Sequence, residues 1–302
     1  MLILAMLVKE HREMYKEELL DLRNDFVFKS FFGDEKNSNL LLDFLNSIVD
    51  EQVTSIELVD PHLEYTHAGD KGSVMDVRVR TAHGEQINIE MQLGNQKAFP
   101  ERMLIYWAKM YGSQGKRGKL YSELRKAIQI IVTDFELLRE TDYHNLFQIT
   151  NQKSKSLLST HLEIHVLELP KLRIENIMEA NKLEKWLLFI KSDEKTKEAL
   201  AMESSTMRKA LEEMERLSQN QETRRLADYR EQELNDILQR EEDAREKGIE
   251  QGIEQGIEQG IEQEKREIVI ALYADGMSTE SIAKIVRISS EKAREIINSI
   301  EQ

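Results

Sequence analysis

SVMDVRVRTAHGEQINIEMQL, residues 73–93, decides how this chain folds. It reads as a β-hairpin. In the first arm Met75, Val77 and Val79 alternate with Asp76, Arg78 and Arg80. In the second, Ile87, Ile89, Met91 and Leu93 alternate with Gln86, Asn88, Glu90 and Gln92. A period of two marks strands with one buried face. Ala82, His83 and Gly84 make a short loop, with Gly where the backbone needs a left-handed conformation. Centring the hairpin on His83 pairs Arg80 with Gln86, Arg78 with Asn88 and Asp76 with Glu90. The two carboxylates then stand opposite each other on the polar face, with Cβ atoms ~5 Å apart. Gln92 lies further along that same face.

Like charges directly opposite each other destabilise a sheet. A divalent cation offsets the repulsion, because hard cations such as Mg²⁺ take oxygen ligands, commonly one or two carboxylates with waters and substrate phosphates. On spacing alone a second reading stands beside this one: a solvated polar face whose acids are neutralised by Arg78 and Arg80.

Further pieces flank the hairpin in a fixed order. NDFVFKSFFGD (24–34) and LLLDFLNSIV (40–49) precede it, and MDVRVRT (75–81) and INIEMQ (87–92) form its arms. FPERMLIYWAKMYGSQ (99–114), GKLYSEL (118–124), IIVTDFEL (130–137) and HLEIHVLELPKL (161–172) follow. Together they cover about half the chain, and they resemble the PD-(D/E)XK nuclease family transposases, the recombination-promoting nuclease group. The resemblance implies an α/β fold: a restriction-endonuclease-like core with a mixed sheet flanked by helices, followed here by an all-α C-terminal extension. It also implies a metal-dependent DNA endonuclease, with Mg²⁺ or Mn²⁺ held by Asp76 and Glu90. Gln92 falls where the superfamily more often has Lys. Its amide can orient a water or a phosphate but carries no charge. Arg102 and Tyr106 match the family's helix beside the site.

Charged residues make up 32% of the 302-residue chain, and the net charge is −14. So acidic a chain is no obvious DNA binder, and the charge must be read locally. Residues 97–126 hold eight Lys or Arg against two acids, a net of +6, whereas residues 201–263 carry a net of −8. The basic region directly follows the hairpin, where a local field can attract a polyanion. There is no Cys, which excludes disulfides and thiolate-bound zinc and fits a cytoplasmic address. The opening MLILAMLV is too short to span a bilayer and lacks a basic leader. We expect no membrane segment and no small-molecule cofactor.

Along the chain, residues 17–50 read as two Phe- and Leu-rich helices, with Asp25 and Lys29 spaced for an ion pair. Residues 53–59 read as a strand and 62–72 as a loop. Residues 99–114 read as a helix entered through Pro100. One face carries Met103, Trp107, Met110 and Tyr111; the other carries Arg102, Tyr106 and Lys109, placed to meet phosphate oxygens. The Gly-rich loop 112–118 is no nucleotide-binding P-loop. Its Lys116 and Arg117, with Lys119, could follow a nucleic-acid backbone, or the loop could be a solvated turn. AIQIIVT (127–133) has the near-continuous apolar run of a buried strand, and 161–169 reads as another. His161 and His165 are four apart, but no acid completes a zinc site.

The expected organisation is a nuclease-like domain at 17–173, a charged helical region at 174–247 with a small core around Trp186, and a GIEQ repeat connector at 248–263. A helix-turn-helix-like three-helix unit at 264–302 ends the chain. A DNA substrate and a homodimer are the expected partners. The alternative is a catalytically weak or inactive nuclease-like protein acting in DNA binding or assembly. An RNA or defence nuclease would share the same site.

Overall fold

The computed structural model describes residues 18–60, 62–63, 73–74, 76–94, 98–118 and 120–299. The opening apolar run, most of the 62–72 loop, Met75, Lys97 and Lys119 lie outside them. The chain divides into two compact units, one ending at Leu234 and the other beginning at Asn235.

The first unit is built on a six-stranded mixed sheet. Its strands are β1 (Ile56–Leu58), β4 (Val77–Thr81), β5 (Gln86–Gln92), β6 (Ala127–Thr133), β7 (His144–Phe147) and β8 (Leu162–Glu168). The spatial order is β1-β4-β5-β6-β8-β7. β5, β6 and β8 are parallel, while β1, β4 and β7 join antiparallel. A two-residue ribbon, β2 (His62–Leu63) with β3 (Ser73–Val74), stands where a loop alone was expected. β7 was not foreseen, because HNLF is short and lies at the sheet edge.

The helices α1 (Asp25–Phe32) and α2 (Ser38–Leu45) cover one face of the sheet. With them pack α4 (Lys182–Lys191), α5 (Glu194–Glu203) and α6 (Ser205–Ser218). α1 starts where Asn24 accepts hydrogen bonds from the backbone of Phe26 and Val27, a side-chain cap for otherwise unpaired donors. Its Phe32 stacks on Phe44 with ring centroids 5.2 Å apart, and Trp186 lies 5.8 Å from Phe32. Trp186 and its neighbours therefore join the main core rather than making a small one of their own. The packing is driven by apolar area: Val77, Val79, Ile87, Ile89, Met91, Ile128, Ile130 and Val132 all turn to this face.

The helix α3 (Phe99–Gly112) covers the other face, with Phe99 and Met103 against Ile131, Leu162, Ile164 and Val166. β5 is consequently buried on both faces, not on one: Gln86 is 7% exposed, Asn88 0% and Glu90 6%. The alternating pattern is real, but its polar half is enclosed.

α7 (Gln221–Ala274) is one 54-residue helix that contains the whole GIEQ repeat. The helix expected to open the C-terminal unit is thus the end of α7. It is followed by Gly276 at φ +82°, then α8 (Thr279–Val286) and α9 (Ser290–Asn298), capped by Ser278 and Ser289. Val269, Ile282, Val286, Ile296 and Ile297 form the small core of this second unit.

Candidate active site

The hairpin register is the one the alternation predicts. Arg80 pairs with Gln86, Arg78 with Asn88 and Val77 with Ile89. One residue further out, Asp76 immediately precedes β4, and its carboxylate lies beside β5, close enough for the Glu90 charge to act on it. Gly84 turns the loop at φ +86°, with its N–H donating to the Thr81 carbonyl at 2.9 Å.

Burial and proximity load this pair. Asp76 is pushed up to about 7, first by burial and next by the Glu90 carboxylate; the Met91 N–H, 3.1 Å from Oδ2, acts the other way. Weaker influences reach Asp76 from α1, where Asp25 opposes its charge and Lys29 favours it. Burial also raises Glu90, against the Asn88 amide, which donates to Glu90 Oε1 at 2.9 Å, and against the Arg102 guanidinium. Two acids held this way resist being ionised together.

Gln92, at the end of β5, donates to the Leu93 carbonyl at 2.9 Å and accepts a hydrogen bond from Arg102. Arg102 sits over the Phe99 ring, 4.8 Å from its centroid. Tyr106, one turn along α3, has its phenol raised by burial and then by Glu90, so it stays a donor. Asp76, Glu90, Gln92, Arg102 and Tyr106 are therefore brought together.

Other expectations resolve differently. Lys109 lies part-buried further along α3. Lys116 and Arg117 stand exposed on a loop pinned by Gln114, whose amide exchanges hydrogen bonds of 2.9 and 2.8 Å with the Arg125 backbone. No hydrogen bond or ion pair among the described residues links Lys116 or Arg117 to the acids. Asp25 takes Arg230 of α7 at 2.6 Å as its ion-pair partner, an arrangement that spacing along α1 could not reveal. His161 and His165 take separate partners: Tyr111 for the first and His144 for the second, each at 2.9 Å.

The donor set fits a hard divalent cation. Two apposed carboxylates of raised proton affinity offer oxygen ligands and an uncompensated repulsion. Among the described residues no group of three or more His, Cys, Asp and Glu could hold a metal ion, so these two acids would be the protein's anionic contribution. Sequence reading missed Asn88 and Gln129 beside Glu90. The signal for Gln129 was available: it is the lone amide in the AIQIIVT run.

A mixed sheet whose central hairpin brings two acids together, with a basic helix beside them, defines a nuclease-type α/β core. The sequence model of the family described as PD-(D/E)XK nuclease family transposase matches residues 22–243, and the chain belongs to that family. Nucleases of the PD-(D/E)XK class generally use divalent metals. No curated protein and no solved structure matches the chain.

Proposed function

We propose that this chain is a metal-dependent endonuclease that hydrolyses phosphodiester bonds in DNA, acting in recombination or mobile-element transactions. The observation that carries the reading is the buried Asp76 carboxyl beside Glu90 at the end of the β4–β5 ladder, where burial disfavours ionisation of both. Asp76 and Glu90 would hold Mg²⁺ or Mn²⁺. Bound there, such an ion would supply positive charge for a phosphate oxygen and lower the pKa of an attacking water.

The chain's own residues do the rest. Gln92 is neutral, but its carbonyl oxygen holds the Arg102 guanidinium, so a fixed positive charge stands where the strand itself supplies none. A preorganised cation at this point stabilises charge developing on a phosphate without reorganisation during the reaction. Tyr106 offers a hydroxyl donor on the same side. Lys109, Lys116 and Arg117 would extend the contact along the backbone, where each neutralised phosphate makes binding more salt-sensitive. A homodimer and a cytoplasmic location complete the reading.

Plasmid DNA incubated with wild-type and Asp76→Ala protein, each with Mg²⁺ or EDTA, tests it. Cutting by the wild type alone, and only with Mg²⁺, is expected. Cutting by Asp76→Ala would sink the assignment. DNA binding without cutting by the wild type would favour an assembly protein.

A further inference from the structure

Beneath the acid pair runs a second row of polar side chains. Arg78, Asn88 and Gln129 are register partners across β4, β5 and β6, one alternation step from the Asp76–Glu90 row. Asn88 and Gln129 are both 0% exposed. Asn88 Nδ2 donates to Glu90 Oε1 at 2.9 Å. Asn88 Oδ1, Gln129 Nε2 and Gln129 Oε1 have no hydrogen-bond partner of ordinary geometry among the described residues. Gln129 nonetheless lies close enough to Glu90 to favour its charged form.

This arrangement is expensive for the fold. A buried amide atom left without a partner destabilises the fold. Apolar side chains of equal size would remove that penalty, and in β6 Gln129 is flanked by Ala127, Ile128, Ile130, Ile131 and Val132. Stability alone does not account for amides at both positions. Both, however, adjoin the carboxylate that would hold the cation.

Resting on the nuclease reading, we propose that Asn88 and Gln129 are positioning residues for the cation site. Asn88 fixes Oε1 of Glu90 from its own strand. Gln129 would steady the same carboxylate from β6. Partners of this kind orient a metal-ligating carboxylate, and their loss typically weakens metal binding by about 10–100-fold.

The test is Mn²⁺ titration followed by electron paramagnetic resonance, with no nucleic acid present. It uses full-length wild type, Asn88→Leu and Gln129→Met, and each protein is also melted in EDTA. The expected result is Mn²⁺ binding weakened about 10–100-fold in both variants, with melting temperatures in EDTA equal to or above wild type. Unchanged Mn²⁺ affinity would overturn the proposal. So would lower melting temperatures in EDTA, which would make the amides supports of the fold. Failure of the wild type to bind Mn²⁺ would instead strike the nuclease reading itself.

Discussion

At the scale of single residues, the acid pair makes the protein work against its own stability. An acid raised in the folded state binds its proton more tightly there than in the unfolded chain. The resulting destabilisation is absent below the ordinary carboxylate range, grows as pH rises, and is complete above about 7 for Asp76. Asp76→Asn should therefore stabilise the fold in EDTA at pH 8 by on the order of 4 kcal/mol, read as a higher melting temperature, and leave it nearly unchanged at pH 4. Mg²⁺ should stabilise wild type at pH 8 and fail to stabilise the variant, since only ligand bound to the native state shifts melting. For the same reason Mg²⁺ affinity should fall as pH drops through 7, as protons compete for Asp76. Arg102 carries the charge absent from position 92. Arg102→Ala should lower kcat by about 100-fold with the fold retained, as loss of one preorganised donor does. A rate within about threefold of wild type would remove Arg102 from the chemistry. The β4–β5 register was legible in the sequence, because a short loop around His83 fixes the pairing of Arg80 with Gln86 and Arg78 with Asn88 arithmetically. The pairing of Gln92 with Arg102 was not, since it joins a strand to a helix.

At the scale of elements, alternation located β4 and β5 but suggested a solvated polar face. What it lacked was α3, whose Phe99 and Met103 seat that helix over the same side of the sheet. An enclosed polar face is what a site requires, and sequence alternation alone does not distinguish enclosed from exposed. β7 escaped notice because four residues at a sheet edge carry too little pattern. α7 shows the opposite case. Its repeat reads as a weak helix, because each Gly costs about 1 kcal/mol relative to Ala in a helix interior. Nothing lies within 4 Å of a methyl group added at Gly248, Gly252, Gly256 or Gly260. Converting all four to Ala should stabilise this part of α7 by about 1 kcal/mol per site, read as a higher melting temperature of its circular-dichroism signal at 222 nm. A lower one would mean that these glycines are needed for close approach by something else.

At the scale of the whole molecule, the net charge of −14 describes neither end of the chain fairly. The acidity collects in the later helices, away in sequence from the basic stretch after the hairpin. The first unit also reaches further than its strands and early helices suggest. Met207, Ala210, Met214 and Leu217 of α6 are buried in its core, and Ser218 Oγ accepts the Leu20 N–H at 2.9 Å. A chain ending at Leu234 should melt cooperatively near the wild-type temperature. One ending at Glu203 should not fold, because removing four buried residues forfeits more than the roughly 5–15 kcal/mol that hold a domain together. Far-ultraviolet circular dichroism of the two truncations checks both outcomes. None of this closure was legible from local pattern, because its contacts are so distant in sequence. Asn24 reaches Ala227 across 203 residues, and Asp25 reaches Arg230 across 205. That distance has a meaning on the ribosome. The helix carrying Asp25 and Lys29 cannot be clamped until the segment around Arg230 has left the exit tunnel, and translation adds only about 5–20 residues each second. The nascent chain thus cannot complete the unit that holds Asp76 and Glu90 until the segment 203 to 205 residues downstream of Asn24 and Asp25 has emerged.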